Sequence, residues 1–221
     1  MQTWLASSRR FTGFVTAFRD KIRKKLRTTQ DQETLLDLRL ELETAYLLLQ
    51  ERSLSLVYEP PCGQGRCPDF AVDFTTSLRF MVEVTRLRSD KKRSPLEDSS
   101  TFPAMKEPLV DAVCSKLGQL LPQSSNILIV AMDAPGLTQN VLETTLLRLQ
   151  QRAEWNDPAV LQRYGFRERA DFFRRYYRLS EVLIRGSKLE PAKPIVVWLN
   201  PQAKYPLPSK VRTALYHSHI T

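Results

Sequence analysis

Histidine and glycine are scarce in this chain of 221 residues, which has two of the former and seven of the latter. Both histidines, His217 and His219, stand near the C-terminal end, so chemistry that relies on histidine has little to draw on. Gly63-Gln64-Gly65 is too isolated to count as a phosphate-binding loop or a dinucleotide fingerprint. The shortage argues against P-loop and Rossmann-type nucleotide sites.

Cysteine is equally rare, with three residues in the chain. A low and odd count argues against a disulfide scaffold and predicts a reducing compartment, the cytoplasm. Cys62 and Cys67 form a C-x4-C pair that could in principle join the two histidines in a zinc site. His-x-His is tighter than the usual finger spacing, so two unrelated thiols are the expectation.

Long apolar runs are also missing, because none approaches the length of a membrane span. The length and the ordinary apolar fraction of 42% predict a globular chain with a substantial core. We expect an N-terminal helix within residues 1–30 and a single domain over residues 31–221.

Positive charge is concentrated at the N-terminus, where residues 9–27 carry eight basic side chains and one acidic side chain. Aromatic and aliphatic residues recur there at helical spacing, which predicts a basic amphipathic helix. Such a helix could track a phosphate backbone, with Arg23 and Lys24 as contacts, or lie on an anionic membrane. The alternatives are a packed helix with a solvated basic face and an Arg-rich transit peptide.

Two carboxylates mark the most informative segment of the chain. Asp69 lies in a predicted strand segment over residues 67–72 and Glu83 in the next, over 80–85, and the polar stretch Thr75–Leu78 between them has the length of a hairpin turn. Because strands repeat every two residues, Met81, Glu83 and Thr85 share one face. Acids on apolar strands are costly unless they are paired or bind a metal, and a divalent cation relieves their repulsion.

The remaining pattern predicts an α/β protein with a mixed sheet flanked by helices. Residues 33–52 are expected to form a helix, followed by a short strand at 55–59 and the acidic hairpin. A helix over 104–121 and a buried strand over 126–132 come next, and the strand is a candidate for parallel pairing. Later elements are predicted at 138–152, 179–184 and 195–199, with an irregular tail.

The segments Pro68-Asp69 and Glu83-Val84-Thr85 resemble the signature of the PD-(D/E)XK nuclease superfamily, which has the restriction-endonuclease-like fold. The likeness extends over residues 33–133, where helix, three-strand meander, helix and strand follow in the order of that superfamily's core. The later elements would be C-terminal additions. The resemblance implies hydrolysis of phosphodiester bonds in DNA, with RNA as a further substrate, using Mg²⁺ or Mn²⁺.

The same resemblance implies the metal ligands. Asp69 and Glu83 would bind the cation together with the backbone carbonyl of Val84. A carboxylate from the preceding helix would reach the same site, and Glu41 is preferred over Glu43 because it shares a side with Leu38 and Ala45.

Thr85 departs from the pattern, since the family has a lysine there that steadies the attacking water and the phosphate charge. Lys116 on the following helix could replace it, with Gln119 at i+3 pointing into the same site. Arg86 or Arg88 could also stand in. The third interpretation is a nuclease-fold protein that binds nucleic acid or a partner in a larger assembly without cleaving.

Two further basic stretches are candidate nucleic-acid contacts. Arg86, Arg88, Lys91, Lys92 and Arg93 follow the acidic strand and could meet flanking phosphates, or form a solvated loop. Aromatic residues between 172 and 177 interleave with arginines and could stack on a single strand, although such residues are more often core. The sequence leaves a homodimer or a larger complex open.

Overall fold

The computed structural model describes residues 2–61, 63, 67–76, 78–87, 106–132, 138–186 and 196–220. Within these ranges six strands form one mixed open sheet with helices on both faces, so the predicted α/β class is confirmed. The strands are β1 (Leu54–Tyr58), β2 (Phe70–Phe74), β3 (Leu78–Arg86), β4 (Ser125–Ala131), β5 (Leu179–Arg185) and β6 (Val196–Leu199). The helices are α1 (Gln2–Ser7), α2 (Arg9–Ala17), α3 (Arg19–Thr28), α4 (Gln32–Leu48), α5 (Lys106–Leu117), α6 (Gln139–Glu154), α7 (Pro158–Leu161), α8 (Arg169–Tyr176) and α9 (Ser209–Leu215), followed by a π-helix (Tyr216–Ile220).

The strands lie in the sheet in chain order. β1, β2 and β3 form an antiparallel meander, β4 pairs parallel to both β3 and β5, and β6 closes the sheet antiparallel to β5. β4 is the predicted parallel strand, and its apolar run is explained by burial on both faces.

Each face of the sheet has its own apolar core. Phe70, Val82 and Ile129 pack on the face covered by α2, α3, α4 and α9. Leu128 and Val182 pack on the opposite face, which is covered by α5, α6, α7 and α8. Odd and even positions of the same strands therefore serve different helix layers, and Glu83 points away from α4 and toward α5.

The predicted single N-terminal helix is wrong, because the structure has three short helices in that segment. The chain bends at Phe18, which ends α2 and precedes α3 with a non-helical ψ of 19°. Phe11 and Phe14 of α2 and Ile22 of α3 are all buried in the core on the α4 face. The bend thus lets two helices bury apolar side chains in one core while most of their basic side chains stay exposed.

Two other boundaries differ from the sequence prediction. The predicted helix over 104–121 ends at Leu117, and its first residues, 104 and 105, lie outside the described residues. The tail, predicted to be irregular, contains α9 and the π-helix. Val211, Ala214 and Leu215 of α9 are buried against the sheet, so packing stabilises a helix that is short for independent stability.

Candidate active site

Asp69 and Glu83 face each other across the meander. Phe70 pairs with Val82 in the antiparallel ladder, and Asp69 and Glu83 are the next residues beyond that pair. Directly opposed residues of antiparallel strands point to the same side of a sheet. The hairpin therefore brings these two carboxylates together, as the sequence predicted.

Hydrogen bonds join the two acids reciprocally. The backbone N–H of Asp69 donates to Glu83 Oε2 at 3.3 Å, and the backbone N–H of Val84 donates to Asp69 Oδ2 at 2.7 Å. Each carboxylate is thus held by the backbone of the other acid's strand. This arrangement fixes both side chains without bringing a positive charge to Asp69.

Lys116 reaches the same group from the end of α5. Its Nζ donates to Glu83 Oε1 at 2.5 Å, and the Glu83 side chain is 2% exposed against 20% for Lys116. Lys116, which the sequence offered as a replacement for a lysine at Thr85, is therefore in contact with Glu83. Thr85 itself is half-buried on the Glu83 side of β3, and its hydroxyl brings no charge.

The surroundings of Asp69 and Glu83 disfavour the ionised form of both side chains. Burial raises the pKa of Asp69 well above its usual range, and the charges of Glu83 and Glu41 raise it further. Burial also raises the pKa of Glu83, although the charge and hydrogen bond of Lys116 work in the opposite direction. One ammonium group does not neutralise the cluster.

Glu41 approaches from α4, on the other face of the sheet. Its Oε2 accepts hydrogen bonds from the Tyr58 hydroxyl at 2.5 Å and from Lys25 Nζ at 2.8 Å. Its negative charge is nevertheless felt by both Asp69 and Glu83. The β1–β2 and β2–β3 ladders end at Phe70, the residue after Asp69, between the two helix layers.

Glu43 does not belong to this group. Its buried carboxylate pairs with the guanidinium of Arg185 on β5, and the two side chains are 2% and 6% exposed. Glu41 is therefore the α4 carboxylate whose charge acts on Asp69 and Glu83, and its role as a metal ligand stays a prediction. Because Glu41 and Glu43 are two positions apart on a helix, they point in widely different directions.

Gln119 is not placed as predicted. α5 ends at Leu117, so Gln119 lies in the following turn, where its backbone N–H donates to the Lys116 carbonyl. Its side chain makes no hydrogen bond with Asp69, Glu83 or Lys116 in the described part of the chain. The helical i+3 relation to Lys116 is lost at this point.

The Val84 carbonyl stays a predicted ligand.

The predicted phosphate contacts have different outcomes. Arg86 forms ion pairs with Glu33 at 2.5 Å and Asp37 at 3.2 Å on α4, so its charge is already matched on the far face. Arg23 and Lys24 of α3 are exposed, as a phosphate contact requires. Arg88, Lys91, Lys92 and Arg93 lie outside the described residues.

The aromatic and basic stretch at α8 is buried in part. Phe172 and Tyr176 are fully buried against the β5 side of the sheet, and Arg174 and Arg175 pair with Asp171. Stacking on a nucleic acid is therefore wrong for Phe172 and Tyr176, whose rings are not accessible, whereas Phe173 is half-buried and Tyr177 is 39% exposed.

Sequence reasoning missed Lys25, Tyr58 and Glu59. Lys25 Nζ lies 2.8 Å from Glu59 Oε1, the same distance as from Glu41, and 4.9 Å from the centre of the Tyr58 ring. Burial alone would lower the pKa of Lys25, but the charges of Glu41 and Tyr58 and the hydrogen bonds to Glu41 and Glu59 raise it overall. No local pattern in the sequence distinguishes Lys25 from the basic residues beside it.

The donor set fits a hard divalent cation in its chemistry. Asp69 and Glu83 offer carboxylate oxygens side by side, and Mg²⁺ is commonly held by one or two carboxylates while it keeps several waters. Within the described ranges no group of three or more His, Cys, Asp or Glu side chains is close enough to hold a metal ion. Of the predicted ligand side chains, the two that lie together are Asp69 and Glu83.

The cysteine prediction needs correction. Cys67 is disulfide-bonded, so it is neither an unrelated thiol nor a free zinc ligand, and Cys62 lies outside the described residues. Disulfides are uncommon in reducing compartments, so this bond lends no support to the predicted cytoplasmic location.

In the described ranges no helix has the length and apolar character needed to span a bilayer.

Comparison with family models, with curated proteins and with solved structures gives no match for this chain, so the geometry of the site has to support any functional assignment.

Proposed function

We propose that the chain is a metal-dependent nuclease that hydrolyses phosphodiester bonds, with DNA as its principal substrate. The observation that carries the proposal is the position of Lys116, whose ammonium group contacts Glu83 at 2.5 Å beside Asp69. Two adjoining carboxylates and one lysine in a largely buried setting are the groups that such chemistry needs.

The order of the elements supports the same proposal. α4, the β1–β2–β3 meander, α5 and the parallel strand β4 follow one another as in the restriction-endonuclease-like core. Asp69, the residue before β2, and Glu83 on β3 would correspond to the two signature acids. This agreement concerns topology, and topology alone assigns no activity.

Each residue has a definite task under this proposal. Asp69 and Glu83 would hold a Mg²⁺, which when bound polarises the scissile phosphate and lowers the pKa of its water. Lys116 places its positive charge where the phosphate gains charge in the transition state, and low exposure strengthens that interaction. Arg23 and Lys24 on α3 supply exposed charge for sequence-independent phosphate contacts.

A cleavage assay with matched variants tests the proposal. Supercoiled plasmid, single-stranded DNA and RNA are incubated with Mg²⁺, with Mn²⁺ and with EDTA. Asp69→Asn and Lys116→Met should each reduce cleavage by about 100-fold or more, whereas Asp73→Asn, a change of the same kind on β2, should not. Asp73 is a suitable control because its carboxylate pairs with Arg79 outside the site.

The proposal would be refuted by cleavage that survives the Asp69 and Lys116 substitutions at the wild-type rate, or by no cleavage of any of the three substrates with either metal.

A second candidate is a nucleic-acid-binding protein that keeps this fold without catalysis. The favouring observation is that protein donors already occupy Asp69 Oδ2 and both oxygens of Glu83. Gel-shift titrations distinguish the two candidates. The second predicts DNA binding of equal strength in EDTA and in Mn²⁺, with no cleavage in either.

A further inference from the structure

Lys25 stands between two carboxylates at the edge of the candidate site. Its Nζ lies 2.8 Å from Glu41 Oε2 and 2.8 Å from Glu59 Oε1, and its side chain is 29% exposed. An ammonium group with two equivalent acceptors can leave one of them without becoming unpaired. Its neighbour Lys24, by contrast, is exposed and forms no ion pair with the described residues.

The same helix also holds the backbone next to the site. Lys21 Nζ donates to the carbonyls of Tyr58 at 2.9 Å and Glu59 at 2.6 Å. Glu59 has a φ of 44°, in the left-handed region that non-glycine residues seldom occupy, and its N–H donates to the carbonyl of Asp69 at 2.8 Å. α3 is thus linked through one strained residue to the first acid of the site.

From these contacts we infer that Lys25 is a positioning residue that serves as the internal counter-cation of Glu41 and moves to Glu59 alone when a divalent cation binds. In the metal-free protein Lys25 neutralises Glu41, whose charge acts on Asp69 and Glu83. Its transfer to Glu59 leaves Glu41 with the hydrogen bond from the Tyr58 hydroxyl and makes the negative charge of Glu41 available to the bound cation. The inference rests on the proposed function, since it presumes a cation at Asp69 and Glu83.

Mn²⁺ titration by calorimetry on three variants tests the inference. Lys25→Met keeps the aliphatic stem and removes the competing charge, so Mn²⁺ affinity should rise about tenfold. Lys24→Met removes the same charge one residue away and should stay within about twofold of wild type. Glu59→Gln removes the alternative acceptor and should weaken Mn²⁺ binding by about threefold.

A purely structural role for Lys25 predicts a different pattern. Lys25→Met would then be less stable in urea while binding Mn²⁺ no more tightly than Lys24→Met, and that result would overturn the inference. The opposite directions expected for the Lys25 and Glu59 variants cannot both arise from general destabilisation.

Hydrogen exchange on the wild-type chain provides a measurement that does not depend on a folded variant. Mn²⁺ should speed amide exchange in α3, because the ion pair between Lys25 and Glu41, one of the two that Lys25 forms, is broken. Asp69→Asn should remove this effect. Unchanged or slower exchange in α3 with Mn²⁺ bound would contradict the inference.

The outcomes separate the inference from the proposed function. If wild type binds Mn²⁺ and Asp69→Asn does not, the metal site stands even where Lys25→Met behaves like Lys24→Met. If wild type binds no Mn²⁺, the proposed metal site fails and the inference is refuted with it.

Discussion

Replacing Lys116 with methionine should destabilise the chain in a manner that depends on pH. The variant keeps the aliphatic stem but leaves Glu83, 2% exposed, without its ammonium partner. Removing one member of a buried ion pair costs about 3–5 kcal/mol when the remaining group stays charged. Lys116 is itself 20% exposed, so solvent screens part of the interaction and the lower end, about 3 kcal/mol at pH 8, is expected.

The loss should shrink in acid. Burial already raises the pKa of Glu83, and Lys116 is the group that opposes this shift, so the pKa rises further in the variant. A carboxyl whose pKa is raised in the folded state contributes stability below its unfolded pKa of about 4.3, and this is lost as pH rises through the folded value. The destabilisation should therefore grow from pH 4.5 to pH 8.

Urea unfolding followed by circular dichroism in EDTA measures this effect, with midpoints compared at unchanged slope. Lys210→Met, at an exposed position of α9, is the control and should change stability by less than about 0.5 kcal/mol. The double variant Glu83→Met/Lys116→Met removes both charges and should recover most of the loss. A loss below about 1 kcal/mol at pH 8, or an equal loss at both ends of the pH range, would refute the reasoning.

Three other substitutions give expectations of different kinds, all measured by urea unfolding in EDTA. Asp69→Asn should be more stable than wild type at pH 8, with the difference vanishing toward pH 4, because the raised pKa of Asp69 makes its ionised form costly; equal stability throughout would contradict this. Arg185→Met should cost about 3–5 kcal/mol because it strands the buried Glu43, and a loss under about 1 kcal/mol would show that the charge finds another partner. Tyr176→Phe should be neutral or stabilising by about 1 kcal/mol, since the buried hydroxyl has no hydrogen-bond partner in the described part of the chain, and a clear loss would reveal one.

The sequence predicted those parts of the fold that one strong local signal determines. β4 is a continuous apolar run bounded by polar residues, and strand length and β-branched content distinguish it from a helix. The meeting of Asp69 and Glu83 follows from a short turn, because the turn fixes the register and the register fixes which residues oppose each other. Burial of one sheet face then makes a slip of one residue costly.

The features that the sequence did not predict depend on tertiary contacts. Phe18 continues the helical apolar pattern of its segment, so nothing local indicates the bend between α2 and α3. Lys24 and Lys25 are chemically identical neighbours. The orientation of α3 leaves the Lys24 side chain exposed and directs the Lys25 side chain to Glu41 and Glu59. The α9 helix is too short to give a clear periodic signal in the sequence, and the segment before it is rich in proline. It forms because the sheet covers its apolar side.

The electrostatics of the candidate site argue that stability alone does not account for it. Three carboxylates, Asp69, Glu83 and Glu41, share the nearby charge of two ammonium groups. Burial raises the pKa values of Asp69 and Glu83, the charge of Glu83 raises that of Asp69 further, and the charge of Glu41 raises both. Apolar side chains of similar size at such positions are often as stable or more so. Under the proposed nuclease function, a hard divalent cation would supply the positive charge that favours the ionised forms of Asp69 and Glu83, with oxygen ligands alone. Lys116 would then bring a positive charge to the phosphate without fully neutralising the acids that hold the cation.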